Sequence, residues 1–134
     1  MIWDKYTFPN FTPKKFRCQC GCETDNMDEG FMTSLQRLRD LYKRPMIITS
    51  GYRCSEHPVE KRKRSPGAHN TGKAADILVA GADAWLLMRC ATQFPEFTGI
   101  GVKQNGLIGT RFIHLDTITS GSIDWIPRPT IWSY

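Results

Sequence analysis

The 134-residue sequence has no apolar run close to the roughly 20 residues that a membrane-spanning helix needs. Its first five residues, MIWDK, lack the basic and then apolar pattern of a secretory signal peptide. The sequence also contains no internal repeat and no low-complexity segment. We therefore expect a chain that is synthesised in the cytoplasm without a signal peptide and that does not bind a membrane.

Positive charge is scarce outside one short segment. The chain has 18 Lys and Arg residues against 13 Asp and Glu residues, which gives a net charge of +5. Residues 61–64 (Lys-Arg-Lys-Arg) carry four positive charges, so the rest of the chain has a net charge of +1. Because nucleic-acid-binding proteins usually spread positive charge over a face, we expect no nucleic-acid partner. We interpret residues 61–64 as a solvated loop, with attraction to an anionic polymer or to an acidic peptide carboxylate as the functional alternative.

The cysteines are few and show no pairing pattern. There are five of them, Cys18, Cys20, Cys22, Cys54 and Cys90, in a chain long enough to form a core without disulfides. The odd number favours a reducing compartment. The first three could be half of a zinc site, but zinc-binding cysteines are usually separated by two or more residues and need a second cluster downstream. We therefore interpret the cysteines as structural or incidental thiols.

Length and a 40% hydrophobic content indicate one domain over residues 1–134. Apolar residues recur at helical spacing after Asp28, which we expect to cap a helix that Pro45 ends. Residues 54–70 have no periodicity and are predicted to form a long loop, and loops of this length in a compact domain are usually functional or disordered. The other predicted elements are a helix over 82–94, strands over 46–50 and 74–79, and a hairpin that pairs 99–103 with 111–117.

The C-terminal tail is rich in proline and aromatic residues. We expect its aromatic side chains, including Trp125 and Trp132, to pack back onto the domain rather than to bind substrate. The loops over residues 54–67 and 120–129 are expected to shape any cleft, and no periodic pattern predicts their structure.

Only three histidines are present, and two of them have an aspartate nearby in sequence. His69 precedes Asp76 by seven residues across a turn that Gly72 permits. His114 and Asp116 lie on one face of a predicted strand, where a buried imidazole and carboxylate need hydrogen bonds or a metal. Two imidazoles and one carboxylate form the three-ligand set of a catalytic zinc site with an open position for water.

Three segments in this order resemble the motifs of a known family. They are residues 50–53 (SGYR), 67–76 (GAHNTGKAAD) and 112–116 (FIHLD). Together they resemble the zinc D-alanyl-D-alanine carboxypeptidases, a family that also includes L-alanyl-D-glutamate endopeptidases and many phage endolysins. The resemblance runs from about residue 16 to the C-terminus. It implies an α+β fold of the hedgehog type, with a small antiparallel sheet and two main helices packed against it.

The resemblance also implies residue roles. His69, Asp76 and His114 match the ligands of one catalytic Zn²⁺, and Arg53 matches the arginine that faces the substrate carbonyl and the developing oxyanion. The family usually has a serine where this chain has Gly67, a position that supports the site without binding metal.

The general base is the position at which this chain departs from the family pattern. Family members supply a carboxylate three residues before the last ligand or a histidine two residues before it, and here these positions are Arg111 and Phe112. Asp116 matches a His-x-Asp version of the motif and is the nearest candidate for the base. Its alternative role is to orient a ligand imidazole.

Two functions therefore stay open. The first is a zinc metallopeptidase that cleaves the stem peptide of peptidoglycan, at the D-Ala-D-Ala or the L-Ala-D-Glu bond, by attack of a zinc-activated water. The second is a non-catalytic zinc-containing module of the same fold, which binds the cell wall or belongs to a virion. We expect a monomer that acts on the cell wall, a role that suits a phage lysis or virion protein.

Overall fold

The computed structural model describes Met1, residues 3–4, residues 6–119 and residues 126–134. Residues 120–125, which include Trp125 and the first part of the predicted cleft loop over 120–129, lie outside the described residues. The helices are α1 (Pro13–Phe16), α2 (Glu29–Tyr42), α3 (Pro58–Lys61) and α4 (Gly81–Ala91). The strands are β1 (Ile47–Ser50), β2 (Ala74–Leu78), β3 (Gly99–Lys103), β4 (Phe112–Asp116) and β5 (Thr130–Ser133).

Capping residues define the two ends of helix α2. The Asp28 carboxylate accepts the Phe31 backbone N–H at 2.9 Å, which satisfies one of the free amides of the first turn. Lys43 adopts the left-handed conformation (φ 61°) and ends the helix two residues before Pro45. The predicted capping residue is confirmed, and the helix ends close to its predicted proline stop.

The five strands form one sheet in the order β1-β2-β4-β3-β5. The predicted hairpin is confirmed as the antiparallel pair of β3 and β4, and β1 and β2 continue the antiparallel pairing. Strand β5, from the proline-rich tail, instead pairs parallel with β3. The α+β class is confirmed, but the sheet is mixed rather than wholly antiparallel, because β5 lies on the side of β3 away from β4 and runs in the same direction as β3.

The two faces of the sheet have opposite characters. Alternation along β2 and β4 places Ile77, Ile113 and Leu115 in the hydrophobic core, which also contains the buried residues of α2 and α4. The other face of the same strands carries Asp76, His114 and Asp116. Packing of the apolar face against the core therefore fixes the position of the opposite face, where the polar side chains come together.

The structure differs from the predictions for the loop over 54–70 and the helix over 82–94. Within the predicted loop over 54–70, the chain forms α3 and a turn of 3-10 helix at Ala68–Thr71. Helix α4 starts at Gly81 and ends at Ala91, three residues earlier than predicted. Within the described part of the chain, no helix is both long enough and apolar enough to span a membrane.

Candidate metal centre

Asp76 and His114 meet because they are direct cross-strand partners. In the antiparallel register of β2 and β4, Asp76 lies opposite His114 on the polar face. Asp76 Oδ1 lies 3.0 Å from His114 Nδ1, and both residues are buried. The pairing of the sheet thus brings together two side chains that are 38 positions apart in the sequence.

His69 reaches the same point from the 3-10 turn Ala68–Thr71. Its Nδ1 lies 2.7 Å from the Gly51 carbonyl oxygen, and its Nε2 lies 3.3 Å from Asp76 Oδ1. Gly72 ends the turn with φ 75°, and a Cβ atom there would collide with the Asn26 carbonyl. The turn therefore needs glycine for both its conformation and its packing.

The loop before this turn is held by a buried carboxylate. Glu60 in α3 accepts the Gly67 backbone N–H at 3.2 Å and pairs with Lys63 at 3.1 Å. The Asn70 side-chain amide donates to the Arg53 carbonyl at 2.9 Å. These contacts fix the loop that carries His69 against the segment that carries Arg53.

Each histidine keeps one ring nitrogen free to coordinate. The Gly51 carbonyl can only accept, so His69 Nδ1 donates to it and Nε2 carries the lone pair in the neutral ring. His114 Nε2 lies 2.8 Å from the Asp116 carboxylate and donates to it, which leaves the lone pair on Nδ1. Both lone pairs lie on the side of Asp76 Oδ1.

The three side chains could hold a metal ion. One donor atom from each of His69, Asp76 and His114 lies within 4.8 Å of the other two. Bonds of about 2.0–2.1 Å to a tetrahedral Zn²⁺ would separate neighbouring donors by about 3.3 Å. The distances of 3.0 and 3.3 Å to Asp76 Oδ1 are close to that value. Two imidazoles and a carboxylate are also donors that zinc accepts, so the residues present fit the ion.

Hydrogen bonds set the ionisation of Asp76. Burial by itself would raise the pKa of this carboxyl group, but without a metal the His114 and His69 ring nitrogens that face Asp76 carry protons and donate to it, and these hydrogen bonds hold the pKa well below its usual value. A bound cation would take the place of those two protons. Asp76 is therefore an anion at neutral pH and ready to bind a cation.

Asp116 is completely buried and both of its oxygens are engaged. Arg128 donates to them from Nε at 2.8 Å and from Nη2 at 2.6 Å, and His114 donates to Oδ2. Burial would raise the pKa of Asp116, but these hydrogen bonds, above all those from Arg128, lower it. Gly99 lies opposite Asp116 in β3, and a Cβ atom at that position would overlap the carboxylate. The contacts of Asp116 favour its orienting role over the role of general base.

A cavity of about 520 Å³ opens beside the three donors. Among the described residues that line it, Asp76 is the only carboxylate, whereas Arg53, Lys63 and Arg128 supply positive charge. Asp116 does not line the cavity. The predicted basic segment 61–64 contributes Lys63 alone to this lining.

Arg53 lies at the edge of the donor group. Its Nη2 is 3.8 Å from Asp76 Oδ2, and its backbone N–H donates to the His69 carbonyl at 3.1 Å. The side chain is 19% exposed, so the guanidinium is partly shielded but can still reach the cavity. The structure thus places the predicted arginine beside the predicted ligands.

Sequence reasoning did not single out Arg128 or Tyr134 and assigned Trp132 to packing. The Trp132 ring lies 5.1 Å from the His114 ring, Arg128 lies 5.1 Å above the Trp132 ring, and Tyr134 lines the cavity. Burial raises the pKa of the Tyr134 phenol, which therefore stays protonated at neutral pH. The sequence signal for Trp132 and Tyr134 was the cluster of aromatics in the tail, which we expected to pack onto the domain without a role in the site.

Comparison with protein families identifies a match that includes the proposed site. The family model described as Peptidase M15 matches residues 9–116, which include all three donors, Arg53 and Asp116. A search of curated proteins found no match. Strand β5 and Arg128 lie beyond the matched segment.

Proposed function

The chain belongs to the peptidase M15 family of zinc metallopeptidases, and we propose that it hydrolyses the stem peptide of peptidoglycan. In this proposal His69, Asp76 and His114 bind the catalytic Zn²⁺. The observation that carries the proposal is the convergence of three buried donors on one point at the edge of a positively lined cavity.

The donor set suits hydrolysis. When bound, Zn²⁺ supplies a Lewis acid for the scissile carbonyl and lowers the pKa of a coordinated water to about 7. His69 and His114 are held in one tautomer each, by the Gly51 carbonyl and by Asp116. Because both rings are fixed before metal binding, little reorganisation is needed when the ion binds.

We assign Asp116 to orienting His114. A general base must lie within hydrogen-bond reach of the proton it accepts. Asp116 is fully buried, both of its oxygens accept from Arg128, and it does not line the cavity. A carboxylate behind a metal-binding histidine is a common arrangement and increases the basicity of the ring.

We assign Arg53 to the substrate carbonyl. Its guanidinium stays charged at any physiological pH and presents several N–H donors. From its place beside Asp76 it can donate to an oxyanion that forms next to the metal, an interaction typically worth about 10²–10³ in kcat.

The charge of the cavity supports an anionic substrate. Stem peptides carry a free carboxylate at the terminal D-alanine and another on D-glutamate, so either proposed bond has a negative charge near it. Of the cavity's basic residues, Lys63 is paired with Glu60 and Arg128 with Asp116. Arg53 has the longest ion-pair contact of the three, at 3.8 Å, and is the best placed to meet a substrate carboxylate or carbonyl.

The test is cleavage of a muropeptide that carries a full pentapeptide stem. Release of the terminal alanine identifies a carboxypeptidase, whereas cleavage after the first L-alanine identifies an endopeptidase, and mass spectrometry distinguishes the two. We expect a chelator to abolish cleavage and added Zn²⁺ to restore it. Asp76→Asn should abolish cleavage, and Asp83→Asn, the same change at an exposed aspartate of α4, should leave it intact.

The second candidate is a zinc-containing module that binds the wall without cleaving it. It is favoured by the lining of the cavity, in which Asp76 is the only carboxylate among the described residues and is itself a proposed ligand. Protein that retains zinc and binds peptidoglycan, but cleaves neither bond over a long incubation, would contradict the peptidase proposal and support this one.

A further inference from the structure

A second group of metal-type donors lies outside the cavity. Cys54 Sγ is 3.5 Å from Cys18 Sγ, 3.4 Å from Cys20 Sγ and 3.8 Å from Cys22 Sγ. All four sulfur atoms lie within 4.8 Å of one another. The sequence analysis did not connect Cys54 with the other three cysteines. Cys54 is 32 residues beyond Cys22, and the tertiary fold brings it to them.

The sulfur atoms are not joined as disulfides. A disulfide has an S–S distance of about 2.03–2.05 Å, and all five cysteines of the chain are free. Four sulfurs bound to a tetrahedral Zn²⁺ at about 2.3 Å would lie about 3.8 Å apart. The separations from Cys54 agree with that arrangement to within a few tenths of an ångström.

The backbone around the cluster offers donors to the sulfurs. The Cys54 backbone N–H points to Cys18 Sγ at 3.3 Å, and the Thr24 backbone N–H points to Cys22 Sγ at 3.4 Å. Such N–H groups stabilise the negative charge of metal-bound thiolates. The Cys18 backbone N–H also donates to the Thr24 carbonyl at 2.7 Å, which closes the loop and aims its sulfurs at one point.

The cluster connects the N-terminal segment, which carries residues 18–22, with the segment after β1, which carries Cys54. The N-terminal segment contributes core residues such as Phe16, whose carbonyl accepts the Tyr52 backbone N–H at 2.9 Å. Cys54 directly follows Arg53, the arginine beside the candidate metal centre. An ion held by both segments would fix the N-terminal loop to the segment that presents Arg53.

We propose that Cys18, Cys20, Cys22 and Cys54 bind a structural Zn²⁺ ion, separate from the ion assigned to His69, Asp76 and His114. Four sulfur ligands in a tetrahedral arrangement select zinc or iron, and a complete set of four protein ligands leaves no open position for water or substrate. The role of this site is therefore to hold structure. It does not depend on whether the chain cleaves peptidoglycan.

The test is the metal content of the purified protein and of variants that separate the two sites. We expect about two zinc ions per wild-type chain and about one in either Cys20→Ser or Asp76→Asn. Cys20 is exposed, so its replacement removes a ligand without disturbing the core. Cys90→Ala is the matched control, since Cys90 lies in α4 outside the cluster and its loss should leave the zinc content unchanged.

Cobalt replacement gives a second readout that does not rely on folding of a cysteine variant. In Asp76→Asn, which lacks only the other proposed site, Co²⁺ should produce the intense near-ultraviolet band of cobalt–thiolate bonds. In the native protein, four thiols should become reactive toward a thiol reagent only after zinc is chelated.

Three results would overturn the inference. The first is that the Asp76→Asn variant contains no zinc and shows no cobalt–thiolate band. The second is a protein mass that reveals disulfides among the four cysteines. The third is iron in place of zinc at these cysteines. Zinc at the cysteines together with no cleavage of muropeptides would support this site and contradict only the peptidase proposal.

Discussion

Replacement of Arg128 by methionine should destabilise the protein more than removal of any exposed arginine. Arg128 is the bidentate partner of Asp116, whose side chain is 0% exposed, and its own side chain is 7% exposed. Arg128→Met would fill similar space but leave the Asp116 carboxylate, among the residues that the structure describes, with the donors from His114 and the Ile118 amide. The remaining negative charge would be buried and incompletely paired.

Breaking a buried ion pair by removing one partner typically costs about 3–5 kcal/mol. For a chain of 134 residues, an unfolding entropy of about 2.1 cal/mol/K per residue converts this cost into a fall in Tm of about 11–18 °C. A matched pair at the surface gives the contrast. Arg44 and Asp83 also form an ion pair, but their side chains are 49% and 55% exposed, so Arg44→Met should cost no more than about 1 kcal/mol.

Urea and thermal unfolding of the zinc-saturated proteins, followed by circular dichroism, would measure both effects. If the cost arises from an unpaired buried charge, then adding Asp116→Asn to Arg128→Met should recover part of the lost stability. Equal stability losses in Arg128→Met and Arg44→Met would refute the reasoning, and so would a double variant that is less stable than Arg128→Met alone.

Three further outcomes are expected. Gly99→Ala should lose about 1–3 kcal/mol of unfolding free energy because its Cβ would overlap Asp116. Gly109→Ala should change the unfolding free energy by less than about 1 kcal/mol in urea titrations, because a Cβ there would meet no described atom within 4 Å beyond its chain neighbours. Asp116→Asn should weaken zinc binding at His114 by about 10–100-fold in competition with a chromogenic chelator, and an unchanged affinity would contradict its orienting role. Arg53→Lys should lower kcat/KM on a muropeptide by about 10²-fold with zinc content unchanged, and full activity would exclude the oxyanion role.

Much of the fold could be predicted because its signals are local. Asp28 caps its own helix, and the alternation of residues 112–116 decides which side chains share a face. The pairing of β3 with β4 also follows from neighbouring segments joined by a short connection. Strand β5 could not be predicted in the same way, because its four residues have no apolar alternation of their own and gain their place only from pairing with β3.

The candidate metal centre could be predicted only as a set of residue types. The motifs named His69, Asp76 and His114 as ligands, and this remains a prediction, although the sheet register does place Asp76 opposite His114. The motif left Asp116 with two possible roles. The contact that favours the orienting role comes from Arg128, which lies in a tail that no sequence pattern assigns to a strand.

By itself, the sequence determined the chemistry that is available: two histidines, an aspartate and an arginine in motifs that resemble those of a metallopeptidase family, and an odd number of cysteines with no pairing pattern. Only the tertiary structure decided which groups meet. Cys54 joins the cluster of residues 18–22, and Arg128 neutralises Asp116, across chain separations that local propensity cannot bridge. The physical reason is that periodicity and capping depend on residues a few positions apart, whereas burial of charge and convergence of ligands depend on how distant strands and loops pack.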